Sequence, residues 1–349
     1  MLIIIFSYTF LFMKRLIFSV VFLGAVVFGG YYYYTNKPNV PDILADEYIK
    51  IPTGSTMKDL ERLLESGGYV LDIESFKSRA VTDNFKMARV GRFKIKAGWS
   101  NKELVKHLHL GEQAGVKVVL NNEKTPQQVA GKISKVLEFD SLTFINAFNN
   151  QMLLDSLGLD KIQLMCYFLP NTYELYWNTD PKKFLERMSK EFKRFWNENR
   201  IEKAKAINMT PEQAVVMAAI VEGETNKTDE RPRVAGAYIN RYVRGIRLQA
   251  DPTVQFALME IEQTSSFRRL RYSDYLTPHP YNTYVIDGLP PGPICMPSPS
   301  SIEAVLNPEK HSFIYFCAKP DLSGYHNFAE TLEQHNVNVR AYQNFLRTR

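Results

Sequence analysis

Two glutamates, Glu222 and Glu224, follow an uninterrupted apolar run from Ala214 to Val221, with Gly223 between them. A helix apolar on all sides is buried on all sides. Carboxylates at its C-terminal end gain nothing from a helix dipole that favours cations there. Burial and a helix C-terminus both raise a carboxyl pKa. A carboxylic acid kept protonated near neutral pH is what a general acid for glycosidic cleavage requires. A structural role is the competing reading, in which both acids pair with the basic stretch Lys227, Arg231, Arg233, Arg241, Arg244 and Arg247. Two positions apart on a helix, the side chains point about 200° away from each other. One can face a cleft easily, and spacing alone does not say which.

The elements that must position these acids are legible nearby. Thr210 is a good N-cap, Pro211 suits the first helical position, and Gln213 completes a capping box, so a helix is predicted over 210–225. Residues 134–209 read as mostly helical. Phe184, Met188, Phe192 and Phe195 recur at helical spacing, which makes the basic-aromatic segment an amphipathic helix with its charges solvated. Nucleic acid is therefore not an expected partner. Further upstream lies an internal repeat. YIKIPTGSTMKDLERLLESGG (48–68) and RFKIKAGWSNKELVKHLHLGE (92–112) align Gly54, Thr56, Asp59, Leu60 and Leu64 with Gly98, Ser100, Glu103, Leu104 and Leu108. Each copy predicts a short strand, a glycine turn and a helix opened by a capping box. A weaker third copy, 116–133, has Thr125 as its cap.

The N-terminus sets the compartment. Leu16 to Tyr34 carry no charge, close to the ~20 residues that a helix needs to cross a bilayer. Lys14 and Arg15 precede the run, and Tyr31 to Tyr34 close it with an aromatic belt. This predicts a short cytoplasmic segment (1–15), a single transmembrane helix (16–34) and a linker (35–47). A domain of strand–helix repeats (48–115) and a mixed domain bearing the acids (116–349) follow, both outside the cytoplasm. A cleaved signal peptide is the alternative, but the tyrosines occupy the place of a small-x-small cleavage site. Residues 1–12 are too short to span alone, and Met13-Lys14-Arg15 reads as an ordinary translation start. The overall class is α+β. With 45% hydrophobic and 23% charged residues in 349, disordered, collagen-like and multi-span chains are excluded. The net charge of +6 permits a polyanionic partner without demanding one. Cys166, Cys295 and Cys317 show no C-x-x-C spacing, and the one close histidine pair, His107 and His109, does not converge on a helix. No metal or organic cofactor is expected.

IVEGETNKTDERPRVAGAYINRYVRGIRLQADPTVQFAL (220–258), TPHPYNTYVIDGLPPGPICMPSPSSIEAVLNP (277–308) and YFCAKPDLSGYHNFAETLEQHN (315–336) together resemble the YceG-like family, the endolytic murein transglycosylases. The resemblance extends over essentially the whole chain and makes the repeat region LysM-like. It implies an inner-membrane enzyme, its catalytic domain periplasmic, that cuts nascent peptidoglycan strands between N-acetylmuramic acid and N-acetylglucosamine, leaving 1,6-anhydro-muramyl ends. The family's catalytic glutamate is the second acid of E-x-E-T, which falls on Glu224; Glu222 remains the alternative acid. The implied substrate-binding residues are Asn240, Gln249, Asp251, Thr253, Tyr281, Asn282, Thr283 and Tyr284. Asn240 and the adjacent Arg241 could instead orient Glu224 or pair with Glu230. The implied partners are glycan strands and wall synthases. One departure stands out: the family commonly carries E-G-x-x-x-P-D-T-Y where this chain has Met165-Cys166-Tyr167-Phe168-Leu169-Pro170-Asn171-Thr172-Tyr173. The competing functions are a hydrolytic muramidase with Asp251 as second carboxylate, and a non-catalytic membrane-anchored wall-binding scaffold.

Overall fold

The computed structural model describes residues 2–264 and 268–348. The chain falls into two compact units, Met1–Val116 with Leu175–Asn178, and Lys117–Glu174 with Thr179–Arg349.

The first unit opens with α1 (Leu2–Asn36), a single continuous helix. No break separates a short leading segment from a span, because Lys14 and Arg15 are themselves good helix formers. Within α1, Phe12–Tyr34 is long and apolar enough to cross a membrane. Strand β1 (Tyr48–Ile51) is followed by α2 (Met57–Ser66) and α3 (Ile73–Thr82). Strand β2 (Gly91–Lys94) then pairs antiparallel with β1, Tyr48 opposite Lys94, and α4 (Asn101–Leu110) completes the unit. Both predicted capping boxes form: Thr56 with Asp59 opens α2, and Ser100 with Glu103 opens α4. Leu60, Leu64, Leu104 and Leu108, the apolar pairs of the two copies, are fully buried with Ile51, Phe76 and Phe93. Each such side chain contributes about 1.5–3 kcal/mol by leaving water. Residues 35–47 are not a free linker. Asn39 is fully buried, its amide donating to Asn101 Oδ1 at 2.7 Å and to the Asp72 carbonyl at 2.9 Å. The amides of Asn39 and Val40 both donate to the Trp99 carbonyl.

The second unit contains most of β3 (Gly115–Leu120), α5 (Pro126–Ile133), α6 (Ser141–Phe148), α7 (Gln151–Leu157) and most of β4 (Asn171–Tyr176), which pairs with β3. Thr125 caps α5. Then come α8 (Pro181–Phe195), α9 (Glu198–Ala206), α10 (Pro211–Glu224), α11 (Arg231–Val243), α12 (Asp251–Glu262) and α13 (Pro299–Leu306). The antiparallel hairpin β5 (Tyr315–Ala318) and β6 (His326–Ala329) is covered by α14 (Leu332–Arg347). Phe184, Met188 and Phe192 form the buried face of α8. Helix α10 is the axis of this unit. It opens with the Thr210–Gln213 capping box, and all residues from Ala214 to Val221 are buried, against α11, α12 and α13. A Cβ at Gly223 would meet Pro252 Cβ at 2.7 Å, so glycine there lets α12 approach the end of α10. The architecture is a mixture of helix and small sheets, as an α+β reading requires.

Candidate active site

The two acids at the end of α10 have opposite environments. Glu222 Oε2 accepts hydrogen bonds from the Ser298 amide at 3.2 Å, the Ser298 hydroxyl at 2.6 Å and the Ser301 hydroxyl, while Oε1 faces Arg231 at 3.3 Å. Arg231 in turn donates to the hydroxyls of Ser298 and Ser300. Glu222 thus ties α10 to the start of α13.

Glu224 opens instead onto a cleft of about 730 Å³ that it shares with Tyr238, Asp251, Tyr284, Phe316 and His326. Its Oε1 accepts from the Tyr238 hydroxyl at 2.5 Å. Burial raises the Glu224 carboxyl to about 7; the Tyr238 hydrogen bond opposes this rise and the charge of Asp251 adds to it. Burial and the neighbouring carboxylate push the Tyr238 phenol well above its ordinary value, so it stays a donor. Asp251 is held by two tyrosines: the hydroxyls of Tyr284 and Tyr275 donate to its two oxygens at 2.6 and 3.4 Å. Those two rings pack at a 50° tilt with centroids 4.5 Å apart. Gln249 sits on the cleft in a left-handed conformation, φ +52°, its amide oxygen accepting from Arg241 at 2.6 Å, which leaves the NH₂ side to a ligand. Buried Arg241 fixes this loop by donating also to the carbonyls of Arg247 and Ile314.

Five of the residues singled out from the sequence as substrate-binding do not line this cleft. Asn240 spends its amide hydrogens on the carbonyls of His311 and Phe313. Thr253 and Thr283, both fully buried, bond to each other at 2.9 Å and to the backbone around Ala250. Asn282, also fully buried, closes the turn through Tyr275, Thr277 and Tyr284. Tyr281 packs on Phe256 with centroids 4.6 Å apart. These residues shape the loops that carry Gln249, Asp251 and Tyr284. Glu230 pairs with His326 rather than with Asn240 or Arg241. Met165 and Cys166 are buried, Asn171 is exposed, and no residue of 165–173 is among those lining the cleft.

Tyr238 escaped sequence reasoning although it touches the acid, as did Tyr275, Phe316 and one face of α14. The α14 face had a readable signal, since Leu332, His335, Val339, Tyr342 and Leu346 recur at helical spacing. Among the described residues no group of three or more His, Cys, Asp or Glu side chains is arranged to hold a metal ion.

The model of the YceG-like family matches residues 49–341. The chain belongs to the YceG-like family. It is 26% identical over 339 residues to a Bacillus subtilis protein named endolytic murein transglycosylase, covering 91% of each. Streptococcus pneumoniae proteins of the same name are also 26% identical, covering 93% of this chain but 64% of their own length. A crystal structure of a YceG-like protein from Listeria monocytogenes superposes with a TM-score of 0.55 at 25% identity, covering 83% of this chain and 98% of the other. In this YceG-like protein, then, the end of α10 presents one acid to a cleft and commits the other to structure.

Proposed function

We propose that this YceG-like protein is an endolytic peptidoglycan lytic transglycosylase with Glu224 as its acid and base. One observation carries the reading: at the cleft, Glu224 is a carboxyl whose pKa is raised by burial to about 7, held by Tyr238, while Glu222 is bound to Ser298, Ser301 and Arg231. A group titrating near the working pH can both give and take a proton. Protonated Glu224 donates to the glycosidic oxygen between the muramyl C1 and the glucosaminyl O4. As carboxylate it then removes the proton of the muramyl 6-hydroxyl while that oxygen closes onto C1. The bond broken is C1–O4, the bond formed is C1–O6, and Glu224 ends protonated again. Positive charge at C1 is met by the substrate's own acetamido oxygen, and Tyr238 stabilises the carboxylate between the two steps. The NH₂ of Gln249, without a partner among the described residues, suits an acetamido carbonyl, and the aromatic rings of Tyr275 and Tyr284 on the cleft suit a sugar face.

The β1–α2–α3–β2 order of the first unit supports a LysM-like module, and α1 a single membrane anchor with the cleft outside the cytoplasm, where nascent strands and their synthases lie. The muramidase reading would need Asp251 to activate water, yet both its oxygens already accept from tyrosines. The test is mass analysis of products released from purified peptidoglycan by the full chain in detergent. Fragments one water lighter than muramidase products, with no reducing muramyl end, are expected. Reducing ends would make the protein a hydrolase, and no fragments from folded protein would favour a binding scaffold.

A further inference from the structure

A second ionisable pair borders the cleft and has no part in the steps above. Glu230, just before α11, is buried, and both its oxygens are occupied. Oε1 accepts from the His326 amide at 2.7 Å. Oε2 accepts from the Thr225 hydroxyl at 3.1 Å and lies 2.8 Å from His326 Nδ1. A carboxylate only accepts, so Nδ1 carries the hydrogen and Nε2 is the ring nitrogen turned away from Glu230. Among the described residues Nε2 has no hydrogen-bond partner, and His326 lines the same cleft as Glu224. The ring stands edge-on to Phe316, 5.4 Å between centroids, and Glu230 holds it at Nδ1. Thr225 directly follows the catalytic glutamate, so one buried carboxylate fixes both the end of α10 and this imidazole. A purely structural link between β6 and the α10–α11 turn would need only Nδ1 and the backbone amide. It would not need a second ring nitrogen fixed at the cleft.

We propose that His326 contacts substrate, its Nε2 hydrogen-bonding to an acetamido sugar beside the bond that Glu224 cleaves, with Glu230 and Thr225 as positioning residues. This rests on the glycan-cleaving reading given above. Arg241 on α11, His335 on α14 and Asp251 at the start of α12 line the same cleft.

The full-length protein is assayed for anhydro-end formation across pH as wild type, His326→Gln and His326→Ala, with circular dichroism and melting curves to confirm folding. Glutamine keeps a hydrogen-bonding group where Nε2 lies, so it should retain much of the activity. Alanine should cut kcat/KM about 10- to 100-fold, the range for a lost hydrogen bond to a bound group. A folded alanine variant with wild-type kcat/KM overturns the proposal. So do equal losses in both variants, which mark a structural role. A separate arm measures binding of purified glycan strands to Glu224→Gln with and without His326→Ala. About tenfold weaker binding in the double variant supports the contact even if the wild type cuts nothing. Unchanged binding there counts against it.

Discussion

Replacing Tyr238 by phenylalanine deletes one hydroxyl and leaves the packing of α11 on α10. That hydroxyl donates to Glu224 Oε1 at 2.5 Å and stabilises the charged form of the acid. Hydrogen bonds to charged groups are worth about 1.5–3 kcal/mol, and one pKa unit corresponds to about 1.4 kcal/mol. Removing the donor should therefore raise Glu224 from about 7 by roughly one to two units. The direction follows because only the carboxylate loses a partner. The acid step needs the protonated form, so the alkaline limb of kcat/KM should move to higher pH by the same amount. The readout is the rate of anhydro-end release from purified peptidoglycan, measured across the neutral to alkaline range for wild type and Tyr238→Phe. An alkaline limb that stays in place, or moves to lower pH, would refute the reasoning that Tyr238 tunes the acid.

Other substitutions probe the same frame. Asp251→Asn removes a charge that raises the Glu224 pKa, so the alkaline limb should shift by less than about one unit in the opposite direction, toward lower pH. Glu224→Gln should stabilise the fold at alkaline pH. The native pKa of about 7 lies above the ordinary 4.5, so the cost of the native charge is absent below pH 4.5, grows between the two values and is complete above 7. Allowing for partial solvation, about 2–3 kcal/mol should appear as a higher Tm near pH ~8.5 and vanish near pH ~4. Glu222→Gln breaks the pair with buried Arg231 and should lower stability by about 2–4 kcal/mol, read from denaturant midpoints. Gly223→Ala forces Pro252 away from α10 and should cost about 1–3 kcal/mol in the same measurement.

What the sequence made legible was mostly local. The capping boxes at Thr56, Ser100 and Thr210 involve residues within one turn, and each formed. The fully apolar run of α10 announced a buried helix with acids at its end. Strand β4 was lost among helices because its partner β3 is remote in sequence, although Tyr173 and Leu175 alternate inward. Glu222 and Glu224 differ through tertiary packing: α13 brings Ser298 and Ser301 to one acid, and α11 brings Tyr238 to the other. Thr253, Asn282 and Thr283 were assigned to substrate because their types suit sugars. The same hydroxyls and amides also satisfy buried backbone groups, and here all three are fully buried, which sequence does not report. His326 was invisible for the opposite reason, since its partner Glu230 lies on another element.

The central claim is that Glu224, and not Glu222, performs the chemistry. Digests of purified peptidoglycan by full-length wild type, Glu224→Gln and Glu222→Gln, each confirmed folded and compared by mass spectrometry, address it directly. The account predicts anhydro-muramyl ends from wild type and from folded Glu222→Gln, and about a 100-fold or greater loss in Glu224→Gln. Anhydro ends released by Glu224→Gln at the wild-type rate, or lost only in a folded Glu222→Gln, would contradict it.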